Sequence, residues 1–302
     1  MKQQTLNSTN SRLNLSAGVA SVCVAIVLVV LKLWAFSATQ SLSVAASLAD
    51  SALDVIVSLG ALAAIYYASK PADDDHAFGH TSAEDLAALG QSVFILISGG
   101  VIAWAAIRRL LSDAPTELMS EGRGMVVMAV SIILTLALIL WQRHVTRVTS
   151  SRVVAADSLH YLGDLLPAGG AMLSLWASSQ FNLPHIDSVV ALGAAALLVV
   201  GALRIGKGAW DALMDRSASP VLIAGIEAIA HEQEGVFGFH DLRTRQSGST
   251  IFVNLHVELD GSQTLNEAHR ISASLKHKIR QAYPQCDVII HQDPVRSSPN
   301  NT

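Results

Sequence analysis

The sequence is short of cysteine and short of charge, and each shortage narrows what the chain can be. Only two cysteines occur, Cys23 in a long apolar segment and Cys286 in a polar region. No disulfide framework follows from them, and each reads as a small buried residue rather than a metal ligand. Charged residues make up 15% of the chain against roughly 25% in soluble domains, while 51% of it is hydrophobic, a balance that belongs to a membrane protein. A basic excess is missing as well. The formal net charge is -4, so nothing suggests nucleic acid as a partner.

What is there begins with long apolar runs. Six are expected as membrane helices, at about 13–36, 42–68, 83–111, 124–141, 153–180 and 186–214. The first is too long for a signal-peptide core and lacks a small-residue cleavage pattern. The apolar excess stops near residue 214. The expected organisation is therefore a polar tail at 1–12, a six-helix transmembrane domain at 13–215, a soluble domain at 216–295 and a C-terminal tail at 296–302. Gly90 and the pair Gly99 and Gly100 suggest close helix packing or slight bending in the third helix, and Pro167 suggests a kink in the fifth. If the termini are cytoplasmic, Lys2, Arg12, Lys70, Arg143, Arg147, Arg152, Lys207 and Arg216 fall inside and Arg108, Arg109 and Arg123 outside, a bias that favours this orientation.

Two stretches inside the apolar runs share a spacing: Asp50 and Asp54 in the second, His160 and Asp164 in the fifth. Residues four apart lie on one helix face about a turn from each other, so each stretch aims two ligands in one direction. An ionisable side chain at the bilayer centre costs about 2.5–3.5 kcal/mol on insertion scales, so four at similar depth point to a neutralising divalent cation. Oxygen and imidazole donors of this kind suit Zn2+, and Cd2+ also fits, whereas Cu+ lacks the thiolates it prefers. Lys32, in the first run, reads as snorkelling to the interface or pairing with an acidic residue.

Two further groups are weaker signals. Asp73, His76 and His80 fall in the most polar loop of the membrane part and read either as a second metal site or as a solvated acidic loop. In the last third, residues 220–234 read as an amphipathic helix, 236–245 and 250–259 as strands of a hairpin, 265–283 as a second helix and 287–291 as a third strand. The simplest fold for that order, αββαβ, places helices on one face of an antiparallel sheet. His240, His256, His269, His291 and Asp293 come from different elements of it and form a candidate metal site, each histidine taken alone being an ordinary surface residue.

In these residues the chain resembles the cation diffusion facilitator family. The resemblance rests on the two four-apart pairs, on Phe78, Gly79 and His80 followed by Glu84, and on the ending from Val288 to Pro294. The stretch from His240 to Gly248 is similar to the bacterial zinc- and iron-efflux branch. The resemblance implies a multi-pass protein of the bacterial inner membrane with both termini cytoplasmic and a metallochaperone-like tail domain. It implies a homodimer that exchanges a divalent cation, usually Zn2+, for protons. By motif position it implies a transport site at Asp50, Asp54, His160 and Asp164, and a loop site at Asp73, His76 and His80. It also implies a two-metal tail site at His240, His256, His291 and Asp293, with His269 a ligand and Gln292 a weaker candidate. One departure stands out. Ser82 occupies a position that is basic in relatives, where it pairs with the acidic residue matching Asp215; Lys70 or Arg216 are the candidate substitutes.

The function these readings favour is proton-coupled Zn2+ efflux by alternating access, with Fe2+, Cd2+ or Mn2+ as alternative cargo. A passive channel or uniporter and an intramembrane metal-dependent enzyme are the competing classes. No separate nucleophile or base accompanies the ligands, and four protein donors would fill a tetrahedral ion, which favours carriage over chemistry. One chelating cluster suits a carrier better than a pore lined by weak sites.

Overall fold

The computed structural model describes residues 2–39, 42–111, 122–181 and 186–295. The expected tail at 296–302 and most of the loop after the third helix lie outside them. Six long helices come first: α1 (Lys2–Thr39), α2 (Leu42–Ala68), α3 (Ser82–Leu110), α4 (Gly122–Thr149), α5 (Arg152–Phe181) and α6 (Ile186–Leu213). Then follow α7 (Pro220–His231), β1 (Gly238–Ser247), β2 (Thr250–Leu259), α8 (Leu265–Ala282) and β3 (Cys286–Pro294). The chain divides into a helical unit, Asn10–Trp210, and a second compact unit that takes Asp211 onward.

Five of the six long helices are apolar and long enough to cross a membrane: Thr9–Ser37, Ser47–Ala68, Ser82–Leu110, Ala129–Thr149 and Ser188–Leu213. The remaining one, α5, carries Asp157, His160 and Asp164, and packs against α2, α3 and α4. Asp157 and His160 are buried among these neighbours, which is what a charged span requires in hydrocarbon, whereas Asp164 is exposed.

The residues of α2 explain how the unit is put together. Ser51, Asp54, Ser58, Ala61, Ile65 and Ala68 are buried and recur every three or four positions, whereas Leu53, Ile56, Leu59 and Tyr66 are exposed. Small and polar side chains therefore face the bundle, and large apolar ones face outward, the reverse of a soluble helix. Of the glycines expected to permit close packing, Gly99 does so: a Cβ there would sit 3.1 Å from Val199 of α6. Gly90 and Gly100 face open space, and the tighter approach is at Gly206, where a Cβ would meet the Ser92 hydroxyl at 2.5 Å.

Two boundaries differ from the sequence reading. Polar residues 2–12, read as a tail, continue α1, because no proline or glycine interrupts the chain before Gly18. Arg143, His144 and Arg147, read as a link, occupy the last turns of α4, which runs on to Thr149 and ends where Ser150 adopts φ 57°. The fifth helix, expected over 153–180, runs through Pro167 without a break.

In the C-terminal unit, Ser219 caps α7 by accepting from the Leu222 amide, with Pro220 in the first turn. Thr264 and Glu267 form a reciprocal capping box at the start of α8. Gly248, φ 53°, begins the two-residue turn that joins β1 to β2, where the left-handed conformation calls for glycine. The sheet order is β1-β2-β3. β1 and β2 are antiparallel, but β2 and β3 are parallel, so the sheet is mixed rather than antiparallel throughout. The cause is α8, which carries the chain back along the sheet so that β3 starts beside the start of β2. Along β2, Val253, Leu255, Val257 and Leu259 are buried against Leu222 and Ile226 of α7 and Leu275 and Ile279 of α8. The even-numbered side chains of β2 lie on the opposite face.

Candidate metal centres

The first cluster sits between α2 and α5. His160 Nε2 lies 3.2 Å from Asp54 Oδ1 and 3.8 Å from Asp164 Oδ2. One ligand atom from each of the three residues falls within 4.8 Å of the others. Asp54 and His160 are buried, and Asp164 is exposed. Asp50 is close enough to interact electrostatically with Asp164, yet it does not join the cluster. It lies at the edge of the buried seam of α2 and is exposed. The ring of His160 is held edge-on to Phe94, with centroids 5.6 Å apart.

Behind the cluster is a polar network that spacing did not reveal. Tyr161, the neighbour of His160, shares its hydroxyl with Ser58 of α2 at 2.8 Å and Ser21 of α1 at 3.3 Å. Asp157, one turn before His160, accepts from Gln142 of α4 at 2.6 Å. Four helices are therefore fastened around His160 by buried hydrogen bonds, which fixes its position more firmly than apolar packing alone. Lys32 of α1, expected to snorkel or to pair with an acidic residue, reaches α2 near the aspartates. Its ammonium donates to Ser51 Oγ at 2.6 Å and to the Ser47 carbonyl at 3.1 Å, on the α2 turn that carries the aspartates.

The loop between α2 and α3 gathers Asp73, His76 and His80. Asp73 Oδ1 is 3.2 Å from His76 Nδ1, and Asp73 Oδ2 is 3.3 Å from His80 Nε2. The His76 amide donates to Asp73 and holds its carboxyl below the usual carboxylate range. His80 is buried against the Tyr67 ring, centroids 4.6 Å apart, and its Nδ1 has no hydrogen-bond partner among the described residues. Gly79 makes the turn that brings His80 back, at φ 82°.

The third cluster is made by strand register. His240 pairs with His256 across β1 and β2, and His256 pairs with His291 across β2 and β3, so three histidines line up on the sheet face that the helices leave open. Asp293 Oδ2 lies 2.9 Å from His256 Nδ1 and 3.4 Å from His240 Nε2, while its Oδ1 lies 3.3 Å from His291 Nε2. The hydrogen bond from His256 holds the Asp293 carboxyl below its ordinary range. A β-bulge follows His240, with Asp241 at φ 50°, and turns the strand beside the cluster. Glu258, 3.5 Å from His240 Nδ1, was not singled out from the sequence. Its place two residues after His256, on the same face by strand periodicity, is the signal that could have found it. Two expected residues do not join. His269 is exposed on α8, and Gln292 donates to the Ala268 carbonyl on the helix side of the sheet.

The Ser82 position resolves differently from either substitute considered. Asp215 pairs with Arg245 of β1 at 3.1 Å, and Arg216 pairs with Asp211. Lys70 instead lies over the Tyr67 ring, 5.1 Å from its centroid. Cys286 is buried as expected, but Cys23 is exposed on α1.

A bundle of long helices with apolar outer faces and a His/Asp cluster inside, followed by a small helix-and-sheet domain with imidazoles and carboxylates on its open face, defines a membrane transporter of metal cations rather than an enzyme. Residues 18–214 match the cation efflux transmembrane domain, and residues 218–295 match the cytoplasmic domain of cation efflux proteins. The chain belongs to the cation efflux family, also called the cation diffusion facilitators. It is 42% identical over 280 residues to the cation-efflux pump FieF of Shewanella oneidensis, covering 93% of this chain and 94% of that one. It is 40% identical over 296 residues to FieF of Pectobacterium atrosepticum, covering 98% of each. Among solved structures, the metal-bound C-terminal domain of the CzcD transporter from Thermotoga maritima is 23% identical, with TM-score 0.25, covering 26% of this chain and 91% of that one.

Proposed function

We propose that the protein exports Zn2+ from the cytoplasm in exchange for protons, carrying the ion at Asp50, Asp54, His160 and Asp164. The observation that carries this reading is the convergence of Asp54, His160 and Asp164 from two helices onto one point. Zinc ligands must be deprotonated, so an ion entering the site expels protons, and protons returning from the other side expel the ion. Exchange then follows from one shared set of ligands. Asp50 completes the set when α2 turns slightly about its axis, since it lies one turn from Asp54 and only a small angle off the buried seam. The two faces of the site open alternately by movement of helices, with the network of Tyr161, Ser58 and Ser21 holding α1, α2 and α5 together as they move.

The transmembrane domain is assigned to 13–215 and the tail domain to 216–295, with both termini in the cytoplasm of a bacterial cell and the basic residues of the even-numbered loops facing inward. The tail domain dimerises two chains and binds Zn2+ as a regulatory ion. Its donor set of three imidazoles and the Asp293 carboxylate suits zinc, with ligand atoms of His240, His256 and Asp293 within 4.8 Å of one another and His291 Nε2 3.3 Å from Asp293 Oδ1. The register of β1, β2 and β3, which aligns the three histidines, supports this reading. Asp73, His76 and His80 form a further site whose ligands bracket the α2 to α3 loop.

The test is Zn2+ flux into proteoliposomes with and without a pH gradient. Gradient-dependent flux that Asp164→Ala removes is the expected result. Wild-type flux indifferent to the gradient would replace exchange by uniport.

A further inference from the structure

Lys32 is the one described cation on the inner side of the bundle near the transport cluster that the exchange scheme above leaves without a task. Its side chain could have reached the membrane interface, as long cationic side chains commonly do. Instead the ammonium is tied to α2, donating to Ser51 Oγ at 2.6 Å and to the Ser47 carbonyl at 3.1 Å. Ser51 is fully buried and lies between Asp50 and Asp54 in the sequence. The charges that Lys32 feels are those of Asp54, Asp164 and Asp50, all three carboxylates of the proposed ligand set.

We infer that Lys32 is a built-in counter-cation of the transport site that weakens metal binding and speeds metal release. This rests on the assignment of that site. Three carboxylates and a neutral imidazole around a divalent ion carry one excess negative charge, which is costly in a low-dielectric bundle. The ammonium of Lys32 cancels it, so the loaded site crosses the conformational change without net charge. The same ammonium repels the bound ion, twice as strongly as it would a monovalent one. A carrier gains from this, because a site that binds too tightly cannot let go. In the vacated site Lys32 remains as a resident positive charge near the carboxylates and lowers the cost of their mutual repulsion. Lys32 is an affinity-setting residue that acts through the field at the ligands, and the Ser51 hydroxyl positions it.

The experiment measures initial rates of Zn2+ uptake by proteoliposomes over a range of Zn2+ concentrations, for the full chain and its variants Lys32→Met, Lys32→Arg, Ser51→Ala and Asp54→Ala. With the charge removed, KM falls about tenfold and kcat falls as well, because release slows. Lys32→Arg keeps both near wild type, and Ser51→Ala shifts KM in the same direction by less. An unchanged or raised KM in Lys32→Met overturns the inference, as does Lys32→Arg behaving like Lys32→Met. Should Lys32→Met fail to assemble, an unchanged KM in Ser51→Ala overturns it. The transport-site reading fails separately, by saturable flux in Asp54→Ala equal to wild type.

Discussion

The transmembrane cluster and the tail cluster use similar donors but are built by different means. In the helical unit two ligands come from one helix, a turn apart, and a third comes from a facing helix. In the tail, each histidine comes from a different strand, and only the register of three strands makes them neighbours. The settings differ too. Asp54 and His160 are buried behind Phe94 and a hydrogen-bonded tyrosine, whereas the tail residues are half exposed on an open sheet face. A charge without its counter-charge is costly in the first setting and cheap in the second. The helical site is therefore fastened by a network through four helices, and the tail site needs no more than a sheet.

That contrast can be broken by experiment. Asp54→Ala should abolish Zn2+ flux, by a hundredfold or more on the order expected for losing a ligand of the carried ion, while His256→Ala should leave flux within a few fold and remove metal from the tail. Flux assays paired with metal analysis of the purified full chain check both; equal loss of flux in the two variants would erase the functional distinction. Leu255→Ala opens a cavity in the core beneath the tail cluster, where Leu255 is 1% exposed, and should cost about 3 kcal/mol in a denaturation curve. A smaller expected effect is that of Thr264→Ala, which removes one half of the α8 capping box and should cost about 1 kcal/mol. Both losses should appear in the unfolding of the tail unit and leave the helical site's zinc affinity alone.

The smallest effect is on pH dependence. Burial pushes the Cys286 thiol up to about 11 from an ordinary value of 9.0. Because the folded value lies above the unfolded one, the folded state holds its proton longer, and this contribution is complete below pH 9 and fades as pH rises toward 11. Unfolding curves should show stability falling over that window in wild type and less so in Cys286→Ala. Asp293 behaves in the opposite sense. Its carboxyl is held below the ordinary range by His256, so the contribution of that pair is present above the ordinary carboxylate pKa and is lost as pH falls through the depressed value.

How much of each cluster could be read in the letters follows from the same difference. Asp54, His160 and Asp164 were legible because helical spacing is a local property, and one turn separates His160 from Asp164 whatever the rest of the chain does. Asp73, His76 and His80 were legible for a similar reason, being confined to one short loop. From the residues themselves, the three aligned histidines and Asp293 are legible as a surplus of ligands in a small domain, with His269 included among them. Spacing could not say that His269 sits on α8 while the others share the face that the helices leave open. Lys32 reads as snorkelling or as pairing with an acidic residue, and the letters do not choose between these, because a lone lysine on an apolar helix gives no sign of what faces it. The parallel pairing of β3 escaped because strand direction depends on where α8 returns the chain, which no run of alternating residues encodes.

The sequence by itself determined the class of the molecule. Apolar runs long enough to cross a bilayer, broken by paired carboxylates and an imidazole, have few other solutions, because hydrocarbon tolerates neither open backbone nor idle charge. Tertiary structure decided everything that needs two elements to meet: Asp54 against His160, the histidine row across three strands, Asp215 on Arg245 and Lys32 on Ser51. Those contacts join residues distant in the chain, and their geometry is set by packing and register, which act only once the whole chain has folded.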